Sequence, residues 1–228
     1  MRSDSAIPRQ EANLLNITNG EYFNRHFLSQ FDAIAVPFCE SMMEGDTTSE
    51  IYSDAFVSLR SSQLGVSEEE YRLKMHVYTA LKNGNYSKIT LWFGKDTFCQ
   101  MNLLTLLAYL EQISFEGSVS LNFIDDETFE VIERDIDVSL GYYNRLYREI
   151  LIHKKKPKNT YVIVPQAIEL YFDYFSREGK LSRLIKENLQ LDRIALLCLV
   201  LENSKEYDYT IVNDSVDNAV SALEKILN

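Results

Sequence analysis

Residues 88–112, "KITLWFGKDTFCQMNLLTLLAYLEQ", constrain the fold most. A short apolar run reaches Phe93, a turn of Gly94, Lys95 and Asp96 follows, and then Phe98, Met101, Leu104, Leu107, Leu110 and Ile113 recur at helical spacing with further apolar residues between them. A strand that feeds a helix through a short polar turn is half of a βαβ unit. A helix this apolar around its circumference cannot face water along one side, so it is expected to be buried against a sheet.

Three other apolar runs read as strands: Leu14–Thr18, Ile34–Phe38 and Val119–Ile124. Helix-like patterns lie between them. The expected fold is α/β, a mostly parallel, Rossmann-like three-layer sheet with a helical C-terminal part. Between strands two and three, "SEIYSDAFVSLRSSQLG" and "SEEEYRLKMHVYTALKNG" read as two helices; Ser67 with Glu70 fits a capping box, and Gly84 fits a helix end. Near Ile152 the texture changes to "HKKKPKN", a basic, proline-bearing run that reads as a solvated linker or, less simply, a binding patch. The expected division is a flexible arm over 1–12, an α/β domain over 13–152 and a mainly helical domain over 153–228. In the last, "PQAIELYFDYFSREG", "LSRLIKENL", "DRIALLCLVLENS" and the final stretch read as helices, and "YDYTIVND" as a strand.

Composition narrows the function classes. Residues 1–150 hold 12 Lys and Arg against 23 Asp and Glu, a balance of −11, while residues 151–228 hold 11 of each. The acidic part would repel nucleic acid over most of its surface, so a nucleic-acid partner is not expected. No apolar run approaches the ~20 residues that span a bilayer, and the polar N-terminus lacks a signal core. No membrane partner and a cytoplasmic setting are expected by default. The three cysteines and three histidines are dispersed, which fits neither a disulfide framework nor a zinc cluster.

In an open parallel sheet, ligands bind beyond the carboxyl ends of the strands. Asn19 and Gly20 follow strand one; they could present backbone N–H groups to an anion ahead of a helix, or simply make a tight turn. Glu40 follows strand two and could accept a proton or a metal. Asp96 follows strand three; capping the buried helix explains it, and a catalytic role is the alternative. Gln100 lies one turn on, and its amide would bind either a neighbouring loop or a ligand. Trp92, the only tryptophan, would pack in the core or stack on a flat ligand. Cys39 and Cys99 read as buried thiols, since no histidine is placed to activate them. Asp125, Asp126 and Glu127 would cap a helix, or join the other acids around a hard cation such as Mg2+. There is no GxGxxG and no GxxxxGK[ST], which excludes the usual dinucleotide and P-loop sites.

The segments "LLNITNGEYFNRHF", "IAVPFCESMMEGD" and "ITLWFGKDTFCQMNLLTLLAYLEQ" together resemble the bacterial domain of unknown function 1835, over about residues 13–125. The resemblance rests on the order of Asn19-Gly20, the acidic stretch from Glu40 to Gly45, Trp92, and Asp96 with Gln100. At the acidic stretch the chain carries Glu40 and Gly45-Asp46 where the family pattern has an Asp and a Gly-Pro. The resemblance implies no particular reaction; similar proteins are sometimes labelled transcriptional regulators. Two functional expectations follow. One is binding or turnover of a nucleotide or other phosphorylated small molecule at the strand ends. The other is a non-enzymatic regulator or interaction module, which could be a homodimer, whose C-terminal helices, including a helix pair around Leu189-Gln190-Leu191, would bind a partner protein or, against the overall acidity, DNA.

Overall fold

Each apolar run becomes a strand because extended chain sends alternate side chains to opposite faces, and both faces here are covered. The computed structural model describes residues 13–31, 33–125 and 127–176. The strands are β1 (Leu14–Asn19), β2 (Ala35–Phe38), β3 (Lys88–Phe93), β4 (Ser118–Ile124) and β5 (Val131–Asp137). They form one sheet in the order β2-β1-β3-β4-β5. The pairs β1–β2, β1–β3 and β3–β4 are parallel, and β5 runs antiparallel to β4.

The first helix, α1 (Glu21–Gln30), links β1 to β2. Helices α2 (Asp54–Gln63), α3 (Glu68–Lys74) and α4 (His76–Asn83) lie between β2 and β3. The long α5 (Thr97–Gln112) links β3 to β4, and α6 (Tyr143–Tyr147) runs into a π-helical turn at Arg148–Ile152 before α7 (Pro165–Ser176). The three-layer α/β expectation holds. Leu15, Ile17, Ile89, Leu91, Phe93, Val119, Leu121 and Phe123 join α5 in the main core. On the opposite face Trp92 and Ile124 meet Phe23 and Phe27 of α1 in a smaller cluster.

The apolar circumference of α5 has a direct cause. The sheet covers one side, and α6 and α7 pack on others, so every residue from Cys99 to Leu110 is buried. Ile163, Ile168 and Tyr171 belong to the same core, so the chain beyond the basic run returns to it. The capping box at Ser67 and Glu70 is present, and Gly84 ends α4 with its N–H on the Ala80 carbonyl at 2.8 Å.

Two expectations change. The second insertion helix is interrupted at Met75 (φ −96°, ψ 30°), which gives α3 and α4 in place of one. Asp125 does not cap a helix. Its Oδ1 accepts the N–H groups of Glu127 and Thr128 at 3.0 and 2.8 Å, a turn that reverses the chain into β5. That edge strand, "VIERDID", has too few apolar residues to announce itself; its charges and exposure suit an edge that must not recruit another strand. The expected elements beyond Ser176, including the "YDYTIVND" strand, lie outside the described residues, as do residues 1–12 and Asp126.

Candidate functional site

The strand order locates a crevice. β1 sits between β2 and β3; the chain leaving β1 turns to α1 on one face, and the chain leaving β3 turns to α5 on the other. Between these diverging connections lies the switch point at which open α/β sheets bind ligands.

Asn19 and Gly20 form one wall. Gly20 has φ 82°, and a side chain there would have room, so the left-handed backbone is what calls for glycine. Its N–H donates to the Phe38 carbonyl at 2.9 Å, which ties the turn to β2. The Thr18 hydroxyl donates to Asn24 Oδ1 at 2.9 Å and holds α1 on β1. Gly20 has no side chain with which to cap α1, and the Cys39 thiol accepts the Glu21 N–H of its first turn. The positive end of the helix dipole remains on this side of the sheet.

Asp96 forms the other wall. Its Oδ1 accepts the Cys99 N–H at 2.9 Å and caps α5. Its other oxygen, Oδ2, is buried and meets no donor among the described residues. A desolvated carboxylate oxygen without a partner is costly to keep. Asn19 reaches α5 between these walls: its Nδ2 donates to Cys99 Sγ at 2.7 Å, and its Oδ1 accepts Asn102 Nδ2 at 3.1 Å. Asn102 also donates to the Glu40 carbonyl at 2.6 Å and accepts the Met42 N–H at 3.0 Å. One amide thus stitches the ends of β1 and β2 to α5. The sequence reading missed Asn102; a lone asparagine inside a buried apolar helix was the available signal, because a buried amide must find partners.

The remaining candidates go elsewhere. Glu40 is 1% exposed. Its carboxylate takes Arg60 Nε at 2.9 Å, Arg60 Nη2 at 3.0 Å and the Tyr71 hydroxyl at 2.6 Å. Burial, and then the Glu40 charge, push the Tyr71 hydroxyl far above its ordinary range. Glu40 is therefore committed inside the fold, and does not offer the crevice a base or a metal ligand. Gln100 donates to the Gly94 carbonyl at 2.6 Å and accepts the Val164 N–H at 2.9 Å. Of its two expected uses, the structure has the loop-binding one. Trp92 lies on the face away from α5, with its indole N–H on Asn16 Oδ1 at 3.0 Å. Asn19 and Asp96 both bond to Cys99, with Gly20 next to Asn19; Glu40, Gln100 and Trp92 are bonded elsewhere.

Chemistry at the crevice is limited by its donors. Among the described residues no cluster of three or more His, Cys, Asp or Glu is placed to hold a metal. Lys95 is drawn away into an ion pair with Glu133. Burial, and then the Glu21 charge, push the Cys39 thiol up to about 11. Because the raised pKa keeps the thiol protonated at neutral pH, the nucleophilic thiolate is scarce there and grows only as pH approaches that value. Alkylation of Cys39 by iodoacetamide, followed peptide by peptide in a mass spectrometer, should accelerate steadily up to pH ~11. A rate that levels off near pH 8 would show an activated thiol instead.

No helix among the described residues is long and apolar enough to cross a membrane. Comparison with known proteins finds no protein-family model, no curated protein and no solved structure that matches the chain.

Proposed function

We propose that the crevice between β1 and β3 binds a nucleotide or other phosphorylated small molecule that also carries hydroxyl groups. The observation that carries this is the buried Asp96 Oδ2, which meets no donor among the described residues and stands on the α5 turn that Asn19 joins through Cys99. The oxygen calls for a donor such as a sugar hydroxyl, and the positive end of the α1 dipole favours an anion. Binding is better supported than turnover, since Glu40 is sequestered and Cys39 is held as a thiol. Asp96 supplies one carboxylate, which suits a Mg2+ carried in on a phosphate better than an ion held by the protein alone. Kinship with the domain of unknown function 1835 and a cytoplasmic setting belong to the same reading; the first rests on the order of the motifs. The regulator alternative depends on a segment outside the described residues, and no feature within the described residues favours it.

Thermal shift across nucleoside mono-, di- and triphosphates, with and without Mg2+, tests the proposal. A ligand at ~100 times its Kd should raise Tm by roughly 5–10 °C for a chain of this size. Asp96→Asn keeps an N-cap but can place an N–H where an acceptor is needed, so the variant should fold and lose the shift. An unchanged Tm across the panel at millimolar ligand would sink the proposal, and so would an undiminished shift in Asp96→Asn.

A further inference from the structure

The face of the sheet opposite α5 holds a pocket of about 520 Å3 between α1 and the β4–β5 hairpin. Phe23, Phe27 and Phe31 of α1, Trp92 of β3, and Phe129 and Arg134 of the hairpin line it. The volume lies within the range of small-molecule sites. The rings are arrayed as walls: Phe27 and Phe31 stand 5.0 and 6.3 Å from Trp92, and Phe23 stands 5.1 Å from Phe129. The Trp92 N–H is already spent on Asn16, so the indole offers its ring and no donor. Phe31 is 50% exposed at the mouth, an aromatic surface left to water.

Arg134 is the permanent cation of this pocket, whose polar lining also holds His26, Gln30 and Glu130. Its side chain has no hydrogen bond or ion pair among the described residues. Its position comes from a break in the ladder. Leu121 pairs with Ile136 and Phe123 with Glu133, so Arg134 and Asp135 together oppose the single residue Asn122. Asp135 adopts φ 53°, and its N–H donates to Asn122 Oδ1 at 2.9 Å. A bulge of this kind re-aims the side chains it carries. Phe129, in the turn at the other end of the hairpin strand, also has a positive φ, 61°. Two left-handed non-glycine residues flank the pocket, each at a cost that the rest of the fold must offset.

We propose that this pocket binds a flat aromatic carboxylate, its ring against Trp92 and Phe31 and its carboxylate on the Arg134 guanidinium. Aromatic walls favour a flat ring over a puckered one of equal size. A guanidinium fork matches a carboxylate with two parallel bonds. Glu130 also lines the pocket, and the chain as a whole carries −11, so a singly charged anion fits better than a phosphate. The site is separate from the β1–β3 crevice and does not depend on it.

Trp92 is the only tryptophan, so its indole N–H resonance in a 15N-labelled full-length sample reports this pocket alone. Benzoate should move that signal along a saturable curve. Benzamide, which lacks the charge, and cyclohexanecarboxylate, which lacks the flat ring, should each bind at least about tenfold more weakly. Arg134→Gln, an exposed change, should weaken benzoate by about tenfold and leave benzamide as it was. Asp96→Asn should leave the benzoate curve intact, which separates this site from the crevice. Three results would overturn the proposal: no saturable movement with benzoate, equal binding of benzamide, or an unchanged benzoate curve in Arg134→Gln. Movement with adenosine monophosphate and none with benzoate would assign the pocket to a different ligand and overturn it too.

Discussion

Arg60→Ala is expected to cost roughly 3–5 kcal/mol of folding stability, the usual penalty for stripping a buried charge of its partner. The Arg60 and Glu40 side chains are 1% and 0% exposed. The guanidinium does more than neutralise Glu40. Its Nη1 donates to the carbonyls of Glu44 at 2.6 Å and Asp46 at 3.2 Å, and its Nη2 to the Ser41 carbonyl at 2.8 Å. One side chain from α2 therefore organises the whole loop that leaves β2. Arg60→Lys should recover only part of the loss, because an ammonium cannot reproduce the planar fork. Removing both partners, Glu40→Leu with Arg60→Met, should cost less than the two single changes added together, since no lone charge remains buried. It should not return to wild-type stability, because the loop carbonyls would still lack donors. Urea unfolding of the wild type, Arg60→Ala, Arg60→Lys, Glu40→Leu, Arg60→Met and the double variant measures this, and a loss under about 1 kcal/mol in Arg60→Ala would show that water reaches the pair.

Gln100→Leu ranks second, with an expected loss of about 2–4 kcal/mol from two orphaned backbone groups. The leucine fits the apolar surroundings of α5 but leaves the Gly94 carbonyl and the Val164 N–H without partners. The first bond shapes the turn into α5, and the second docks the chain entering α7. Loss should therefore appear locally as well as globally: amides over 165–176 should exchange faster with solvent than in the wild type. A residue reserved for orienting a ligand would give a different pattern, with stability unchanged in the absence of ligand. Finding that pattern would return Gln100 to the crevice.

Some of this was legible in the chain. Asp96 ahead of an apolar run marked the start of α5, and Ser67 with Glu70 marked α3, because caps are satisfied within one turn of where they are written. Gly20 marked a turn because left-handed backbone is a local property. Trp92 is instructive in the other direction. Alternation puts it opposite Leu91 and Phe93, but a run as apolar as "ITLWF" does not say which face will carry the crevice. Glu40 looked available because its partners, Arg60 and Tyr71, lie 20 and 31 residues away. Nothing near residue 40 hints at either.

The chain by itself determined the α/β class, four of the strands, the buried α5 and the Asn19-Gly20 and Asp96 turns, since each depends on periodicity or capping over a few neighbouring residues. Only the tertiary structure decided that β5 closes the sheet antiparallel, that Glu40 and Gln100 turn inward, and that Trp92 faces a second pocket with Arg134. Those outcomes depend on which distant groups meet, and a buried charge or amide takes whichever partner the packing brings to it.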